Sequence, residues 1–243
     1  MVTAPALNPI DAPGTGEDAW RAWGGLAQLP AAGISRWASA VIVAAHPDDE
    51  ILGVGGTISM LAAAGARLRL VSVTDGEASH PGITDPSGLA QRRAAETAQA
   101  LQVLGAQRTE VVRLRLPDTG LAARQDQITD RLADLIAGFD VCLAPWVRDV
   151  HADHEAAGRA ARRVSERTLG YPVWMWHWAV PGDSRVPWHR ALRIPVPASA
   201  AIRKRAAIAC FTSQLERRGG GLAPVLPAQT VAHFTRDMEV LFR

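Results

Sequence analysis

The sequence predicts an α/β fold: a Rossmann-like, doubly wound, mostly parallel sheet with helices on both faces. Between residues 41 and 144, short apolar runs rich in Val, Ile and Leu alternate with longer segments of helical periodicity. The short runs lack the polar alternation of half-exposed strands, so we expect these strands to be covered on both faces. Helical crossovers between such strands are typical of parallel sheets.

The predicted elements follow one another regularly along the chain. Strands are predicted at residues 41–45, 68–73, 110–114 and 141–144, and helices at 51–64, 89–104 and 125–137. A fourth helix is predicted from residue 154 to about residue 168, which completes four strand–helix repeats. The stretch 171–197, rich in Pro and Trp, predicts strands and loops, and residues 198–215 predict a last helix.

The chain is expected to comprise an N-terminal extension, residues 1–37, and a single domain, residues 38–243. The extension is rich in Ala, Pro and Gly, and Trp20 and Trp23 are its bulky anchors. This composition favours a segment wrapped on the domain surface. No internal repeat divides the remainder, so one domain is the simplest interpretation.

The composition argues against several classes of protein. The 243 residues include 26 Lys and Arg and 24 Asp and Glu, and a net charge of +2 gives no reason to expect a nucleic-acid partner. Cys142 and Cys210 lie in apolar segments without CxxC spacing, so neither a thiolate metal site nor a disulfide framework is expected. No apolar run suits a membrane span and no secretory signal opens the chain, so we expect a cytoplasmic protein.

A first polar cluster directly follows the first predicted strand. The segment VIVAAHPDDE, residues 41–50, puts His46, Asp48 and Asp49 where ligands of open α/β sheets collect. Adjacent carboxylates repel each other and are poorly suited to an interior, so they indicate a bound cation or a solvated loop. Taken alone, the two aspartates could equally cap the next helix.

A second polar cluster follows the fourth predicted strand. It contains Asp149, His151, Asp153 and His154, and in a parallel sheet it would converge with the first cluster on one edge. Imidazole and carboxylate ligands without cysteine favour one Zn²⁺ per chain, with an open position for water, although Fe²⁺ or another divalent ion also fits. Asp149 or Asp153 could instead orient an imidazole or cap a helix.

Other templates fit less well. The sequence contains neither HExxH nor GxSxG, which disfavours those metalloprotease and serine-hydrolase classes. Gly53, Gly55, Gly56 and Asp75 approximate a dinucleotide-binding pattern, but HPDDE occupies the turn where phosphate-binding glycines would begin. We therefore expect no nucleotide cofactor and interpret the three glycines as sites of close packing. A nucleotide-binding module or a metal-free sugar-binding relative stays as the non-enzymatic alternative.

The motifs together resemble the LmbE-like, or PIG-L, family of zinc-dependent N-deacetylases. AHPDDE stands at residues 45–50, and DVHADH at 149–154 resembles the family's D-x-H-P-D-H, with Ala152 in place of the usual Pro. Further matches are TDGE at 74–77, Arg93 with Glu96, LPDTGL at 116–121, and Lys204 with Ser213 and Gln214. The resemblance covers roughly residues 41–215.

The resemblance implies both an activity and the residues that carry it. The reaction would be removal of an acetyl group from an N-acetylated amino sugar or glycoconjugate of the N-acetylglucosamine type, a linear amide. The implied metal ligands are His46, Asp49 and His154. Asp48 would be the general base, and His151 the general acid or the cationic partner of the oxyanion.

Substrate contacts and assembly are less constrained by the sequence. Arg93 and Asp118 align with positions that contact sugar hydroxyls in similar proteins, but Arg93 could instead pair with Glu96 on a solvated helix. Trp174, Trp176 and Trp178 would share one strand face, which we expect to pack on the extension rather than stack on a sugar. The alternative substrate is another small-molecule amide, such as a thiol conjugate or an antibiotic, and a homo-oligomer is left open.

Overall fold

The computed structural model describes residues 10, 12–80 and 82–243, so the part of the predicted extension at residues 1–9 and 11 lies outside it. The described chain forms a seven-stranded sheet with strand order β3-β2-β1-β4-β5-β7-β6. Strands β1 to β5 pair in parallel, and β7 is antiparallel to both β5 and β6. The predicted fold class, a mostly parallel sheet with helices on both faces, is confirmed.

The strands are β1 (Ser39–Ala44), β2 (Arg67–Thr74), β3 (Glu110–Leu116), β4 (Val141–Pro145), β5 (Thr168–Tyr171), β6 (Ala191–Pro195) and β7 (Met238–Phe242). The helices are α1 (Glu17–Ala22), α2 (Asp49–Ala63), α3 (Pro86–Val103), α4 (Gln125–Ile136), α5 (Ala152–Val164), α6 (Met175–Trp178), α7 (Ala198–Ile208), α8 (Thr212–Leu215) and α9 (Ala228–Ala232). The four predicted strand–helix repeats are all present, with their ends shifted by a few residues.

Three local predictions were wrong. The fourth helix ends at Val164, and residues 168–171 form the fifth parallel strand. The last predicted helix is broken into α7 and α8. The three tryptophans do not share a strand face, because Trp174 precedes the short helix α6, which contains Trp176 and Trp178.

The first strand explains why both faces of the sheet are covered. Ala40, Ile42 and Ala44 belong to one hydrophobic cluster, which includes residues of α2 and α3. Val41 and Val43 alternate with them and belong to a second cluster, which includes residues of α4 and α5. Residues 40–44 are therefore apolar whichever face of the sheet they point to, as a sheet covered on both sides requires.

The strand order also determines where the two polar clusters lie. Strand β1 pairs with β2 on one side and with β4 on the other. The chain order reverses between β1 and β4, and at such a switch point the loops after the two strands leave a crevice. Helix α2 follows β1 directly, and Gly53 lets this helix approach the sheet, since a Cβ there would overlap the Tyr171 ring of β5.

The described part of the predicted extension packs closely on the rest of the chain. Trp20 is fully buried, and its indole nitrogen donates to the carbonyl oxygen of Trp176 at 2.9 Å. Ala31 forms a bridge to Arg193 and so covers the edge of β6, which would otherwise be open to pairing. The boundary at residue 37 stays a prediction. Within the described ranges, every helix is too short or too polar to cross a bilayer.

Candidate metal centre and substrate cavity

The two polar clusters meet at the crevice between β1 and β4. His46 Nδ1 lies 3.3 Å from His154 Nε2. Asp49 reaches both imidazoles, with Oδ1 3.2 Å from His154 Nε2 and Oδ2 3.5 Å from His46 Nδ1. All three residues are buried. Two imidazole nitrogens and the two oxygens of one carboxylate, from two distant stretches of chain, thus lie together.

These separations suit a single tetrahedral ion. Ligand atoms about 2.1 Å from a tetrahedral zinc ion lie about 3.4 Å from one another. The two nitrogens are 3.3 Å apart, and each has a different oxygen of Asp49 at 3.2 or 3.5 Å, which are distances close to that value. Within the described ranges, two further groups have one ligand atom per residue within 4.8 Å of one another: His46 with His151 and His154, and His46 with Asp118 and Asp153. Both groups include His46.

The loops that carry these side chains are locally strained. Asp48 has φ 122°, Thr119 has φ 63° and Val150 has φ 74°, a region that non-glycine residues rarely adopt. They follow β1, β3 and β4, so the strain is concentrated at the carboxyl edge of the sheet, as is common at functional sites. The Asp49 carboxylate accepts from the His46 backbone N–H at 2.8 Å, which closes the turn after β1.

The orientation of His154 is set by Asp149. His154 Nδ1 lies 2.7 Å from Asp149 Oδ2, so in the neutral ring this nitrogen keeps the hydrogen and Nε2 has the lone pair that could bind an ion. The fully buried Asp149 also accepts from the backbone N–H groups of Val173, Trp174 and Met175 at 2.9–3.0 Å. The sequence offered Asp149 or Asp153 as a residue that orients an imidazole. Asp149 lies where it can do so for His154.

His46 is oriented in the same way by two carboxylates. Its Nε2 lies 3.2 Å from Asp118 Oδ1 and 3.4 Å from Asp153 Oδ2, which directs the Nδ1 lone pair to the cluster. Asp153 also accepts from the backbone N–H groups of Thr119 and Leu121. Asp118 accepts from the Ala78 N–H at 2.9 Å. The contact of Asp118 with His46 was not foreseen from the sequence, and its predicted contact with substrate stays a prediction.

The imidazoles and carboxylates of the cluster shift one another's pKa values, each favouring the charged form of its neighbour. Burial lowers the pKa of His154, but Asp49 and Asp149 outweigh it and raise this pKa to about 9. Burial likewise opposes the pKa shift of His46, which Asp118, Asp153 and Asp49 hold well above its usual value. For Asp49, the two imidazoles outweigh burial and hold the carboxyl pKa well below its usual range. A divalent ion would take the place of the imidazole protons.

Asp48 lies beside the cluster but points to a different partner. Arg93 Nη2 donates to Asp48 Oδ2 at 3.1 Å and also to the Pro47 carbonyl, while Nη1 donates to the Gly76 carbonyl at 2.9 Å. A Cβ at Gly76 would overlap the guanidinium, so the glycine is needed there. Burial raises the pKa of Asp48 to about 7 although the Arg93 charge opposes the shift.

Arg93 does not form the alternative pair weighed from the sequence. Glu96 instead pairs with Arg92 at 3.2 Å and accepts from the Ser213 backbone N–H at 2.8 Å. Arg93 is only 2% exposed, lines the cavity and directly contacts Asp48. Its predicted contact with substrate stays a prediction.

His151 stacks on His154, with ring centroids 4.6 Å apart. Burial and the charges of His154 and His46 lower the pKa of His151 to about 3, so its imidazole is neutral near pH 7. Its Nδ1 accepts from the Asp153 backbone N–H at 3.3 Å, which leaves the hydrogen on Nε2. The side chain is thus a neutral N–H donor.

A cavity of about 240 Å³ opens above the cluster. Its polar side is formed by residues of the cluster and their neighbours: His46, Asp48, Asp49, Arg93, Asp118, His151 and His154. Its remaining wall is mostly apolar and includes Leu52, Val173, Trp174, Val225 and Leu226, together with Ser79 and Gln214. Sequence reasoning did not single out Leu226, and it named Gln214 only as part of a segment that resembles the family's, without a place in the cavity. Of the three tryptophans, only Trp174 lines the cavity, and Trp176 packs on Trp20.

Comparison with known proteins is consistent with this geometry. The sequence model of the PIG-L family, described as GlcNAc-PI de-N-acetylase, matches residues 41–165. The matched segment begins in β1 and ends one residue past α5. It therefore includes both polar clusters.

Two curated proteins are similar over parts of their length. A 1D-myo-inositol 2-acetamido-2-deoxy-alpha-D-glucopyranoside deacetylase of Kineococcus radiotolerans is 41% identical over 70 residues, which are 27% of this chain and 19% of that protein. The uncharacterized deacetylase YaiS of Escherichia coli is 30% identical over 139 residues, 53% of this chain and 70% of that protein. The chain thus spans about a fifth of the first relative and over two thirds of the second.

A solved structure is similar in fold. The N,N'-diacetylchitobiose deacetylase from Pyrococcus horikoshii, complexed with its inhibitor MPG, superposes with a TM-score of 0.58. The similarity covers 75% of this chain and 73% of that chain at 20% identity. At that identity the likeness supports the fold alone.

Proposed function

Because the chain belongs to the PIG-L family, we propose that it is a metal-dependent hydrolase that removes the acetyl group from an N-acetylated amino sugar or glycoconjugate. One observation carries the proposal: His46 Nδ1, His154 Nε2 and Asp49 lie 3.2–3.5 Å apart at the floor of the cavity. The name of the Kineococcus relative, a deacetylase of an acetamido sugar, supports the substrate class.

The same three residues are the proposed ligands of the ion. Two nitrogens and one carboxylate oxygen suit Zn²⁺, and Fe²⁺ or another divalent ion accepts the same donors. Three protein ligands leave a tetrahedral ion one open position on the cavity side. Nearby carboxylates support the tautomers that ligation needs. Asp149 contacts the outer nitrogen of His154, and Asp118 and Asp153 contact that of His46.

Hydrolysis consumes one water and one amide and yields acetate and an amine. When bound, a divalent ion would polarise the amide carbonyl and lower the pKa of water to about 7. Asp48 is the proposed base that removes a proton from the attacking water. Arg93 occupies Oδ2 of this carboxylate, so Oδ1 is the oxygen left to take the proton. The same carboxyl, once protonated, is the proposed source of the proton for the departing amine.

His151 is the proposed partner of the oxyanion. Its neutral ring keeps a hydrogen on Nε2, which can donate to the carbonyl oxygen as negative charge develops. The general-acid role would first require protonation of this ring, which the lowered pKa opposes. The environment of His151 therefore favours the oxyanion role of the two that the family resemblance implies.

The experiment that tests the proposal is acetate release from a panel of amides. The panel contains N-acetylglucosamine, a glycoside of it, an N-acylated thiol conjugate and an acylated antibiotic. Each is incubated with protein that has been loaded with one equivalent of Zn²⁺ and with the same protein after chelation. We expect release from the acetamido sugars by the loaded protein alone.

Other outcomes would assign another function. Release only from the thiol conjugate or the antibiotic would support the alternative amidase. Equal release before and after chelation would contradict the metal-dependent mechanism. Tight binding of a sugar without release would favour a binding protein.

A further inference from the structure

Helix α6 is held at its two ends by different parts of the chain. At its start, Asp149 accepts from three successive backbone N–H groups. At its end, the N-terminal extension supplies the donors. Trp20 Nε1 donates to the Trp176 carbonyl at 2.9 Å, and the Thr15 backbone N–H donates to the carbonyl of His177 at 2.8 Å. The segment matched by the PIG-L family model includes neither the extension nor α6.

The extension also holds the side chain of His177. This residue is buried, and its Nε2 lies 2.8 Å from the Ala12 carbonyl oxygen. Since a carbonyl oxygen only accepts, Nε2 carries the hydrogen and donates it there. Gly14 lies against the same ring, and a Cβ on this residue would overlap the imidazole. The extension and the imidazole therefore fit together because residue 14 has no side chain.

His177 in turn contacts one wall of the substrate cavity. Its ring meets the Trp174 indole at 88°, with the ring centroids 6.0 Å apart, which is a favoured edge-to-face geometry. Trp174 lines the cavity. The contacts thus run from Ala12 and Gly14 through His177 to Trp174, so the extension reaches the cavity in two steps.

We propose that residues 12–15 of the extension set the orientation of the Trp174 indole through His177, and thereby the affinity of the cavity for its substrate. This inference rests on the proposed function, because it assigns Trp174 to the surface that holds the acetamido sugar. His177 and Gly14 are positioning residues that act through Trp174. The indole offers an apolar surface and no charge, so it should hold substrate and transition state alike, and its displacement should raise KM rather than lower kcat.

A single methyl group tests this route. Gly14→Ala places a methyl against the His177 ring, whereas a Cβ in Gly16→Ala has no neighbour within 4 Å in the described chain. We expect Gly14→Ala to raise KM for N-acetylglucosamine about two- to tenfold, with kcat and zinc content unchanged. Gly16→Ala should leave all three values at the wild-type level.

A double-mutant cycle shows whether the effect passes through the imidazole. His177→Ala removes the ring, so the methyl of Gly14→Ala then has room and should raise KM no further. A readout independent of activity is the ¹⁹F spectrum of the full chain labelled with 5-fluorotryptophan, in which Trp174→Phe identifies the Trp174 signal. That signal should move in Gly14→Ala and in His177→Ala, and stay in place in Gly16→Ala.

A second variant guards the test against a folding failure. Thr15→Val keeps the size of the side chain and removes the hydroxyl that donates to the Ala179 carbonyl at 2.6 Å. It should raise KM in the same direction by a smaller factor. Thr15→Ser, which keeps the hydroxyl, should restore the wild-type value.

The possible failures are distinguishable. A Trp174 signal that does not move in Gly14→Ala, an unchanged KM in that variant, or an equal rise of KM in Gly16→Ala overturns this inference and leaves the proposed function in place. Absence of acetate release from every sugar by the wild-type protein overturns the proposed function and the effect on affinity with it, and the ¹⁹F spectrum then tests the positioning of Trp174 alone.

Discussion

Helix α2 carries two buried polar sites, and they differ in whether their hydrogen-bonding capacity is already used. At its start, His46, Asp48 and Asp49 face the cavity. In its middle, Glu239 of β7 accepts from Lys204 Nζ at 2.7 Å, from the Gly56 and Thr57 backbone N–H groups at 2.7 and 2.9 Å, and from Thr57 Oγ1 at 2.5 Å.

The second site exists because α2 is interrupted. Val54 has φ −138° and ψ 22°, which is not helical. The break frees the N–H groups of Gly56 and Thr57, and the Glu239 carboxylate caps them as it would cap a helix start. Both oxygens of Glu239 have two partners, and this closed ion pair is structural.

The contrast shows that buried charge alone does not identify a reactive site. What distinguishes the first site is a set of lone pairs that converge on one point beside a cavity. Substitutions at the two sites should therefore affect different properties: turnover and metal content at the first, and the free energy of unfolding at the second.

The largest expected effect is on turnover. Asp48→Asn keeps the shape of the side chain and can still accept from Arg93, but it cannot take a proton. We expect kcat for acetate release to fall about 10²- to 10⁴-fold, with the metal content unchanged, as measured by atomic emission. Asp134→Asn, at an exposed position on α4, is the matched control. Loss of metal from Asp48→Asn would contradict its placement outside the ligand set.

The next effect is on stability. Glu239→Gln leaves the Lys204 charge buried without its counter-ion, so we expect the free energy of unfolding to fall by about 3–5 kcal/mol. Metal content and kcat at low temperature should stay at the wild-type level. Urea denaturation measures the change, and Glu166→Gln at an exposed position is the control. A loss of metal equal to that of a ligand variant would remove the distinction between the two sites.

A smaller effect is expected from the group that orients a ligand. Asp149→Asn keeps an acceptor but removes the negative charge beside His154. Metal affinity should fall about 10- to 100-fold, the usual cost of changing such a partner. Competition with a fluorescent zinc chelator measures it. Unchanged affinity would show that His154 is positioned without Asp149.

The smallest effect is that of pH on metal affinity. In the metal-free site the pKa of His154 is raised to about 9, so near neutral pH its imidazole is protonated and must lose a proton to bind an ion. Affinity should therefore fall as pH falls, by about tenfold per pH unit for each proton released. Titration calorimetry in buffers of different ionisation enthalpy counts these protons. An affinity independent of pH between 6 and 8 would contradict this assignment.

The sequence predicted the repeating half of the fold because its strands are strongly apolar and its helices long. Strand β5 was missed because a run of four residues, Thr168–Tyr171, carries no periodicity. Helix α6 was predicted as a strand because tryptophans at every second position, 174, 176 and 178, are typical of a strand. A helix of only four residues is too short to show a helical period of its own. Its first N–H groups are bound by Asp149, which is distant in the chain, so no local pattern could reveal it.

The candidate site was also predictable only in part. The convergence of the two clusters was predictable because both follow strands whose carboxyl ends meet at one edge of a parallel sheet. The choice of His46, Asp49 and His154 as ligands among their side chains came from the family resemblance. The pairing of Asp118 and Asp153 with His46 depends on a loop in which Thr119 adopts φ 63°, and no residue pattern announces that conformation. Gln214 is brought to the cavity by contacts with α3, which only the folded chain reveals.

Asp149 has a consequence for engineering. One carboxylate holds the imidazole of His154 and also the peptide groups of residues 173–175, of which Val173 and Trp174 line the cavity. Remodelling that backbone to admit a bulkier substrate would therefore disturb the support of His154, a proposed metal ligand. A designer who wants a different substrate should vary the outward Trp174 side chain and leave the main chain beneath it untouched.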